Sequence, residues 1–575
     1  MRQFQFTYKD MDSLKTELRK IRQWCNSSVI SHITFQLFTE TIDKPLISDI
    51  CAAISAELPD AQYYGCSSNG NIINGAFSEP PIGIICTVFE YPSTRLEIMQ
   101  YTLTQETEKE VMEDFLTELS RRPWVTAVEL LTTIRGMSMT DFCNALGEAR
   151  GDIHIFGGGA FSSDLYDNRA CVFSRDGGFS DNGVVFCLYG GEDLHVASTF
   201  IRGWKPLGKT FHVTKSKGTT LYELDGQPAY EVYYKYLNIK NNEHFFYNTL
   251  EFPFLYQHNG IDIMRAPTAS NEDGSLTMTS DVEENVSARL AYGDPWTILE
   301  SVQQDGKVIK NFHPEIIRVF SCAARRTFWG NTEVSKESLP FQNIAPTSGF
   351  YTSGEFLRTN GFVNQHNVTM VIAAMREGTA ASKKVGELEI DQTGFSGKVS
   401  LINRLASYIN AAFDELEQAA VTDGLTKLLN RSEIQRRISE RQRSGEVLSL
   451  IMIDLDDFKS VNDTYGHQEG DNVIIGLAEL LRKGIPSHNP DADAGRWGGE
   501  EFMLLLPYDL NYAELAARDI CGDFAALTFP KAGRRTVSIG VTEARDGESL
   551  DELLMRVDQA LYQAKKNGKN RYVVI

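Results

Sequence analysis

The chain has 575 residues, 42% of them hydrophobic and 23% charged, which is typical of a folded globular protein and excludes a membrane protein, a disordered chain or a small disulfide-stapled scaffold. At roughly 150 residues per domain, this length indicates about four folding units. The 77 acidic and 56 basic residues give a net charge of −21, which disfavours nucleic-acid polymers and anionic membranes as partners but not a single nucleotide.

The cysteines and the N-terminal residues indicate the compartment. Nine cysteines are scattered without a CxxC pair, which argues against a structural zinc site or a thioredoxin-like site and favours buried reduced thiols. The first residues, MRQFQFTYKDMDSLK, lack the apolar run of a signal peptide. No stretch reaches the ~18 apolar residues of a membrane helix. We therefore expect a cytoplasmic protein with no membrane association.

Residues 28–375 alternate between strand, helix and turn patterns, which predicts an α/β or α+β body. Residues 184–189 (VVFCLY) predict a buried strand, and residues 32–38 (HITFQLF) alternate like a half-buried strand. Apolar residues at helical spacing predict a helix within 106–119.

Turn-forming residues divide this body further. Three glycines in the second cluster fit a turn better than a phosphate cradle. We expect two halves, residues 28–225 and 226–375. The clusters are GCSSNG (65–70), GGGAFSSD (157–164) and NEDGS (271–275).

The segment 378–420 is predicted to contain a connecting helix. Isoleucine at the first two a positions of a heptad pattern favours two parallel helices. The pattern covers fewer than three heptads, so a single amphipathic helix packed on its own domain stays an alternative to a dimerising helix. The seam residues are Ile402, Leu405, Ile409, Ala412, Leu416 and Ala419.

Residues 421–575 carry two acidic motifs. A buried-strand pattern (VLSLIMI, 447–453) ends at Asp454, and a GGEEF motif follows at 498–502. Its glycines predict a tight hairpin turn that lets a ligand approach. Carboxylates brought together at a strand end suit Mg²⁺, which takes few protein oxygens and completes its shell with phosphates. The turn residues are Gly498, Gly499, Glu500 and Glu501.

These motifs resemble the GGDEF family of diguanylate cyclases, which condense two GTP molecules into cyclic di-GMP. The resemblance implies a nucleotide-cyclase-like α/β domain with a mostly antiparallel central sheet. It rests on TDGLTKLLNR (422–431), the D-x-D-x-FK-x-x-ND-x-x-GH-x-x-GD pattern (454–471), GGEEF, VSIGV (537–541) and DQALYQAKKNGKNR (558–571).

The resemblance implies the catalytic residues. Asp454, Glu500 and the main-chain carbonyl of Leu455 would hold Mg²⁺ or Mn²⁺. Glu500 corresponds to the presumed base that accepts the 3′-hydroxyl proton. Lys459 corresponds to the residue that stabilises phosphate charge in the transition state.

The resemblance also implies the substrate contacts. The amides of Asp457 and Phe458, at a strand-to-helix turn, would bind phosphates. Lys565 and Lys569 would reach the triphosphate, although the family usually has arginine at the latter position. Because lysine lacks the bidentate fork of arginine, phosphate binding there would be weaker.

The nucleotide base would be read by residues of the same motif. An aspartate only accepts hydrogen bonds, so Asp471 matches the N1–H and N2–H₂ donors of guanine, while Asn462 serves O6 or N3. Adenine would leave Asp471 unpaired, which disfavours a cyclase acting on ATP. His467 would line the guanine pocket.

One position departs from the family pattern. Many members carry an RxxD product-inhibition site, but Asn489 and Ala492 stand at its positions. We expect no inhibitory site and weak or absent feedback inhibition.

Each GGDEF domain holds one GTP, so the reaction needs two domains that face each other about a two-fold axis. This requirement favours the dimerising interpretation of the connecting helix. The alternative is a catalytically silent domain that binds GTP and signals by conformation.

The N-terminal body resembles a FIST sensory region, which implies an intracellular small-molecule sensor. The ligand is unknown, with an amino acid or haem and nitric oxide as the alternatives. Arg325 and Glu355 could bind an amino acid but more commonly form ordinary pairs. The segments are GCSSNG, IFGGGAFSSD (155–164), 203–233, SCAARR (321–326), GFYTSGEF (349–356) and HNVT (366–369).

A haem would need an axial histidine. Six histidines are candidates, but none has a distinguishing neighbour, so each is more simply an ordinary histidine. They are His154, His195, His212, His258, His313 and His366.

Overall fold

The computed structural model describes residues 1–134, 137–161, 170–379, 386–390, 401–488 and 491–575. These residues form two compact units, Met1–Asn410 and Ala411–Ile575. Both units combine helices with sheets, so the predicted α/β and α+β class is confirmed. Within the described residues no helix has the length and apolarity to span a bilayer.

The first unit begins with strands and helices of its first half. They are β1 (Arg2–Thr7), α1 (Met11–Asn26), β2 (His32–Thr39), α2 (Lys44–Glu57), β3 (Gln62–Ser67), β4 (Asn71–Ile73), β5 (Ala76–Ser78), β6 (Ile82–Phe89), β7 (Arg95–Thr102), α3 (Glu108–Ser120), β8 (Val125–Thr132), α4 (Thr140–Gly147), β9 (His154–Gly159), β10 (Val172–Ser174), β11 (Gly178–Ser180), β12 (Gly183–Gly190) and β13 (Leu194–Ile201).

The chain continues from residue 204 across the boundary predicted near residue 225 and includes a short 3₁₀ turn at Val334–Lys336. The last helix, α11 (Leu401–Val421), begins in the first unit and ends in the second. The elements are β14 (Trp204–Lys217), β15 (Thr220–Leu224), β16 (Gln227–Pro228), α5 (Tyr230–Leu237), α6 (Phe245–Leu250), β17 (Phe254–His258), β18 (Ile261–Arg265), β19 (Pro267–Ser270), β20 (Leu276–Met278), β21 (Ser287–Gly293), α7 (Pro295–Asp305), α8 (Lys307–Phe312), β22 (Ile316–Cys322), α9 (Ala323–Glu333), α10 (Leu339–Gln342), β23 (Thr347–Thr352), β24 (Glu355–Thr359), β25 (Phe362–His366), β26 (Met370–Glu377) and α11 (Leu401–Val421).

Four sheets build the first unit, and its two halves exchange strands. The first sheet has the order β1-β6-β2-β3-β10-β11, and the fourth has the order β18-β17-β21-β14-β15-β20-β19 with β16 on β15. In the second sheet, β24 and β25 of the second half extend β9-β8-β12-β7. In the third, β13, β4 and β5 of the first half flank β26-β22-β23. The boundary expected near residue 225 therefore does not separate two independent sets of sheets.

The predicted half-buried alternation of residues 32–38 is wrong, because β2 is buried on both faces from Ile33 onward. Its polar side chains find buried partners: Gln36 Nε2 donates to Glu129 Oε1 at 2.6 Å. The buried strand predicted at 184–189 is confirmed in β12, as is the helix predicted within 106–119, which is α3.

Two predicted turn clusters begin within strands. In the first, residues 65–67 belong to β3, whereas residues 68–70 form the short connection between β3 and β4. In the second, the glycines 157–159 belong to β9, so neither the turn nor the phosphate-cradle interpretation holds for them, and residues 162–164 lie outside the described residues. Close packing explains these glycines: a Cβ at Gly157 would lie 2.0 Å from the carbonyl oxygen of Leu130. The third cluster does form a turn, between β19 and β20, where Asn271 N donates to Ser275 O.

A buried polar network joins the first three sheets. Arg318 of β22 forms an ion pair with Glu129 of β8, and both side chains are almost fully buried. Arg318 Nη1 also donates to the hydroxyls of Tyr64 at 2.9 Å and Tyr189 at 2.6 Å. Because each sheet supplies at least one member of the network, the sheets are tied together at one point.

Of the predicted segment 378–420, the structure describes α11 from Leu401 onward and the irregular residues 386–390, whereas the stretches 380–385 and 391–400 lie outside the described residues. The first turns of α11 dock on the fourth sheet: Asn410 Oδ1 accepts from Gly208 N at 2.7 Å, and Tyr292 OH donates to Asn403 Oδ1 at 2.9 Å. The apolar seam stays exposed, with Leu405 52% and Leu416 65% accessible.

The second unit has a five-stranded sheet in the order β28-β29-β27-β30-β31. Only the β30–β31 pair is parallel, which confirms the expected mostly antiparallel sheet. The elements are α12 (Arg431–Ser444), β27 (Ser449–Leu455), α13 (Phe458–Tyr465), α14 (His467–His488), β28 (Asp493–Arg496), β29 (Glu501–Leu506), α15 (Leu510–Ala526), β30 (Val537–Glu543), α16 (Leu550–Lys566) and β31 (Arg571–Val574).

We predict that Glu129→Gln destabilises the first unit, because it leaves the buried Arg318 guanidinium without its counter-charge. Breaking a buried ion pair from one side costs about 3–5 kcal/mol in the free energy of unfolding. Chemical denaturation of the full chain measures it. The control Glu118→Gln, which removes a partly exposed partner of Arg122, should leave the free energy of unfolding nearly unchanged, because solvent screens such pairs. Equal effects of the two substitutions would contradict the prediction.

Candidate active site

The central strand of the second unit fixes the position of the first acidic residue. β27 pairs antiparallel with β29 so that Asp454 lies opposite Glu501. Leu455 N then donates to Glu500 O at 3.3 Å, which ties the strand end to the GGEEF turn. The ladder therefore brings the Asp454 strand end and Glu500 together, as the sequence predicted.

The GGEEF motif forms the predicted hairpin turn between β28 and β29. Trp497 N donates to Glu501 O at 2.8 Å and closes the turn. A side chain at Gly499 would meet no atom within 4 Å, so this side of the turn is open to a ligand. At Gly498, by contrast, a Cβ would lie 2.7 Å from the carboxylate of Glu501.

Arg496 holds the glycine turn in place, a role that the sequence did not reveal. Its guanidinium donates to the carbonyl oxygens of Gly498 at 3.1 Å and Gly499 at 2.6 Å. It also forms a 3.2 Å ion pair with Asp423 of the TDGLTKLLNR motif. This motif therefore supports the turn that carries Glu500.

The electrostatics at Asp454 are unfavourable for a carboxylate. Burial raises the pKa of Asp454 to about 6, and the nearby charges of Glu500 and Glu501 act in the same direction. The ammonium group of Lys565 opposes this shift from 2.7 Å away. A carboxyl with a raised pKa beside other carboxylates is typical of a functional site.

The residues predicted to bind phosphate lie at the start of α13 and at the end of the closing motif. Asp457 adopts a left-handed conformation (φ 53°) directly before the helix, which begins at Phe458. Lys569 Nζ contacts Asp457 Oδ1 at 2.6 Å, and this bond raises the pKa of Lys569. Lys459 is exposed on the first turn of α13.

The proposed base-reading residues lie on α13 and α14. A Cβ at Gly470 would lie 2.0 Å from Asn462 Oδ1, so this glycine allows the two helices to approach at Asn462. Asp471 follows directly and is exposed, as is His467 at the start of α14. The structure thus places Asn462 beside the backbone that leads to Asp471.

Sequence reasoning missed Asp456 and Glu469. Asp456 is buried and accepts hydrogen bonds from Ser538 Oγ at 2.6 Å, Thr536 Oγ1 at 2.7 Å and Asn570 N at 3.0 Å. It joins β27 to β30 and to the closing motif. Asp456 lies between Asp454 and Asp457, which the motif assigns to the active site, so the sequence alone did not indicate its structural role.

Glu469 fixes a loop of the second unit. It accepts from the amides of Lys531 at 2.9 Å and Ala532 at 3.0 Å, and these bonds lower its pKa. Among the described residues no group of three or more His, Cys, Asp or Glu side chains could hold a metal. Two carboxylates with a main-chain carbonyl still fit Mg²⁺, which binds through one or two carboxylates and substrate phosphates.

A separate cavity of about 720 Å³ lies between α14 and α15 and is lined mainly by apolar residues such as Leu480, Leu515 and Phe529. It shares no residue with the acidic site.

In the first unit, Arg325 and Glu355 do not form a joint ligand site. Arg325 Nε donates to Glu337 Oε2 at 2.7 Å, and both side chains are buried. Burial raises the pKa of Glu355 to about 8, and this carboxyl accepts from Thr352 Oγ1 at 2.5 Å. Arg325 therefore already has its own counter-charge.

Of the histidine candidates, His366 is fully buried, its pKa is lowered to about 3 by burial, and its ring stacks on Phe200 at 5.2 Å. His258 pairs with Glu283. Burial also lowers the pKa of His154. All nine cysteines are free and eight are buried, as the scattered pattern predicted.

Comparison with known families covers both units. Residues 420–571 match the family described as diguanylate cyclase, GGDEF domain. Residues 35–227 match the FIST N domain, and residues 229–358 match the FIST C domain.

Relatives named as diguanylate cyclases match a little over a quarter of the chain. Diguanylate cyclase DgcM of Escherichia coli K12 is 42% identical over 167 residues, or 28% of this chain and 39% of that protein. Diguanylate cyclase VdcA of Vibrio cholerae is 35% identical over 168 residues, or 27% of this chain and 48% of that protein. The chain thus spans less than half the length of these relatives.

Solved structures include the coiled coil and GGDEF domain of DgcB from Caulobacter crescentus in complex with c-di-GMP. It is 30% identical and covers 30% of this chain and 93% of that one, with a TM-score of 0.27.

We predict that Asp456→Asn loosens β27, because an amide cannot accept all three bonds that the carboxylate accepts. Losing hydrogen bonds to a charged group costs about 1.5–3 kcal/mol. Hydrogen-exchange mass spectrometry of peptides from β27 should show this loss in the free energy of opening. The exposed Asp463→Asn on α13 is the matched control and should change it by under about 0.5 kcal/mol. Unchanged protection in Asp456→Asn would contradict the assigned role.

Proposed function

We propose that this chain, which carries a GGDEF domain behind FIST N and FIST C domains, is a ligand-regulated diguanylate cyclase. It condenses two GTP molecules into cyclic di-GMP and two pyrophosphates. The observation that carries the proposal is the convergence of Asp454 and Glu500 at one end of the central sheet, held by the β27–β29 ladder.

Asp454, Glu500 and the Leu455 carbonyl would hold Mg²⁺ or Mn²⁺. The bound cation supplies charge neutralisation for the phosphates. Glu500, next to the open side of the glycine turn, accepts the proton of the 3′-hydroxyl. Lys565 compensates the buried charge of Asp454 when no cation is bound, since its ammonium lies 2.7 Å from that carboxylate.

Phosphates are bound by the amides of Asp457 and Phe458 and by the charges of Lys459, Lys565 and Lys569. Because the Asp457 carboxylate occupies Lys569 in the described structure, GTP binding requires this lysine to exchange partners.

Asn462 and Asp471, with His467 beside them, select guanine. The carboxylate of Asp471 can accept hydrogen bonds from the N1–H and N2–H₂ donors of guanine. Adenine has no donor at N1, so it cannot make the same contact. We therefore propose GTP as the substrate rather than ATP.

Activity requires a homodimer, because each domain contributes one GTP to the two attacks. The exposed apolar seam of α11 supports dimerisation through this helix. The alternative is a silent GTP-binding protein, but the acidic pair, Lys459 and the guanine-selecting residues all favour catalysis.

The first unit, which carries the FIST N and FIST C domains, regulates the cyclase by binding a small molecule. Since GTP is a cytoplasmic nucleotide, the proposed activity belongs in the cytoplasm.

Feedback inhibition at the RxxD positions should be weak or absent; Asn489 lies outside the described residues, so this stays a prediction.

We predict that the purified chain converts GTP to cyclic di-GMP in the presence of Mg²⁺ and that Glu500→Ala lowers the rate by about 10²–10⁴-fold, the contribution of a general base. Chromatographic detection of the product measures the rate. Glu479→Ala, at an exposed glutamate of α14, should leave it unchanged. Activity that survives Glu500→Ala would refute the site assignment, and GTP binding without any product in the unmodified chain would favour the silent alternative.

We predict that the double substitution Leu405→Glu and Leu416→Glu prevents dimer formation, because it places charges on the exposed seam of α11. Light scattering after size-exclusion chromatography should show a monomer, and cyclic di-GMP synthesis should fall at least tenfold, about 1.4 kcal/mol. Ser407→Glu, on another exposed face of the helix, should change neither. A monomeric variant with full activity would refute the requirement for this helix.

A further inference from the structure

The cavity between α14 and α15 lies entirely within the second unit. Its volume of about 720 Å³ falls within the ~300–1,000 Å³ of typical small-molecule sites. Leu504 and Leu506 of β29 line its base, and both are buried. The cavity therefore extends from the buried face of the sheet outward between the two helices.

Apolar side chains make up most of the cavity wall. α14 contributes Leu480 and Leu481, and α15 contributes Leu515 and Ile520. Leu515 is 49% exposed. A large apolar side chain left exposed beside a cavity of this size is typical of a binding site, because a ligand that covers it removes apolar surface from water.

One end of the cavity is closed by an aromatic ring. Phe529 is buried, and a Cβ at Gly476 would lie 2.5 Å from its ring, so this glycine leaves room for the ring against α14. The main chains of Phe529 and Gly533 exchange two hydrogen bonds of 3.0 Å, which fix the loop after α15. The cavity is thus bounded at this end by close packing.

The charged residues that line the cavity are mostly acidic. They are Glu479 and Lys483 of α14 and Asp519 and Asp523 of α15. Lys483 pairs with Glu479 at 3.7 Å, and Arg518, which does not line the cavity, pairs with Asp519 at 3.2 Å. Asp523 is exposed and has no ion pair or hydrogen bond with another described residue. The lining thus carries one negative charge that no described cation balances.

The two aspartates repel each other. Asp519 and Asp523 lie one helical turn apart on α15, and both line the cavity. Like charges at this spacing destabilise a helix, so a cation placed between them is favoured. Among the described residues that line the cavity, Lys483 alone is positively charged, and its ammonium pairs with Glu479 on its own helix.

We propose that this cavity binds a small organic cation with an apolar body and one ammonium group. The body lies against Leu480, Leu504 and Leu506, and the ammonium group lies beside Asp519 and Asp523. Burial of apolar surface supplies most of the affinity, and the two carboxylates select the sign of the charge. The cavity shares no residue with the acidic site, so this inference does not depend on the proposed cyclase activity.

Other occupants satisfy only part of this lining. An apolar molecule with a carboxylate would bring a further negative charge to Asp519 and Asp523. A neutral apolar molecule would fill the volume but leave the charge of Asp523 unbalanced. Water alone would leave the leucine side chains of the wall in contact with solvent.

Isothermal titration of the full chain at low ionic strength, where exposed charges are least screened, tests the site with octylammonium chloride, octanol and sodium octanoate. The three probes have similar length and differ in charge. Octylammonium should bind saturably to a single site per chain, and octanoate should bind at least about tenfold more weakly, because its charge is repelled. Octanol should lie between them. No saturable binding of octylammonium, or equal binding of octanoate, would overturn the proposal.

The double substitution Asp519→Asn and Asp523→Asn should weaken octylammonium binding by about tenfold or more and leave octanol binding unchanged, because it removes only the charge. The matched control, Asp546→Asn with Asp558→Asn, changes two exposed aspartates that do not line the cavity. It should bind octylammonium like the unmodified chain, which separates a local site from attraction to the acidic chain as a whole. Equal weakening in both double variants would overturn the site.

Ala516→Trp, which fills the cavity from α15, should abolish the binding of octylammonium and octanol. If this variant does not fold by circular dichroism, the double aspartate variant decides, since its substitutions lie at exposed positions. Unchanged affinity in a folded Ala516→Trp variant would overturn the site. If a second copy of the chain covered the cavity instead, no probe would bind and Leu515→Glu would lower the mass measured by light scattering, which would also overturn the proposal.

Discussion

The hydrogen-bonded ladder between β27 and β29 is the constraint on which the acidic site of the second unit depends. It places Asp454 opposite Glu501 and ties the end of β27 to Glu500. A slip of one residue would turn Asp454 to the other face of the sheet. The residues of β27 and those of β29 after Glu501 are buried, so Asp454 near the end of β27 is buried with them. Packing of the hydrophobic core thus buries the carboxyl group of Asp454, and this burial raises its pKa to about 6.

The first unit also buries charged side chains, but there the two charges form an ion pair. Three sheets meet around the buried ion pair of Arg318 and Glu129, and hydroxyls of Tyr64 and Tyr189 complete it. A buried pair is weak support for stability by itself, but separating its members exposes an uncompensated charge. The FIST N and FIST C matches meet near residue 228. The ion pair and the strands shared between the two halves nevertheless hold both halves in one compact unit.

The strand before Asp454 and the hairpin at 498–502 could be predicted from the sequence, because each follows from a short local pattern. Prediction failed where long-range packing decides. The polar residues of β2 imply a half-exposed strand, yet Gln36 is buried because Glu129, distant in sequence, accepts its hydrogen bond. The glycines 157–159 imply a turn, yet they allow strands to approach. Likewise, nothing local distinguishes Asp456, which is structural, from the aspartates on either side.

A small polar cavity, lined by Tyr256, Arg265 and Asp281 among others, lies only a few strands away from the connecting helix within the first unit. Tyr256 of β17 lines the cavity and pairs with Ala288 of β21. The next residue, Arg289, donates to Gly208 O at 2.6 Å and to Asn410 Oδ1 at 3.4 Å. Asn410 lies on α11, so a displacement of β17 would reach this helix through one intervening strand. Because α11 leaves its apolar seam exposed, a change in its docking alters how the seam is presented. Small shifts suffice for such coupling, since packed sheets transmit displacement rather than absorb it.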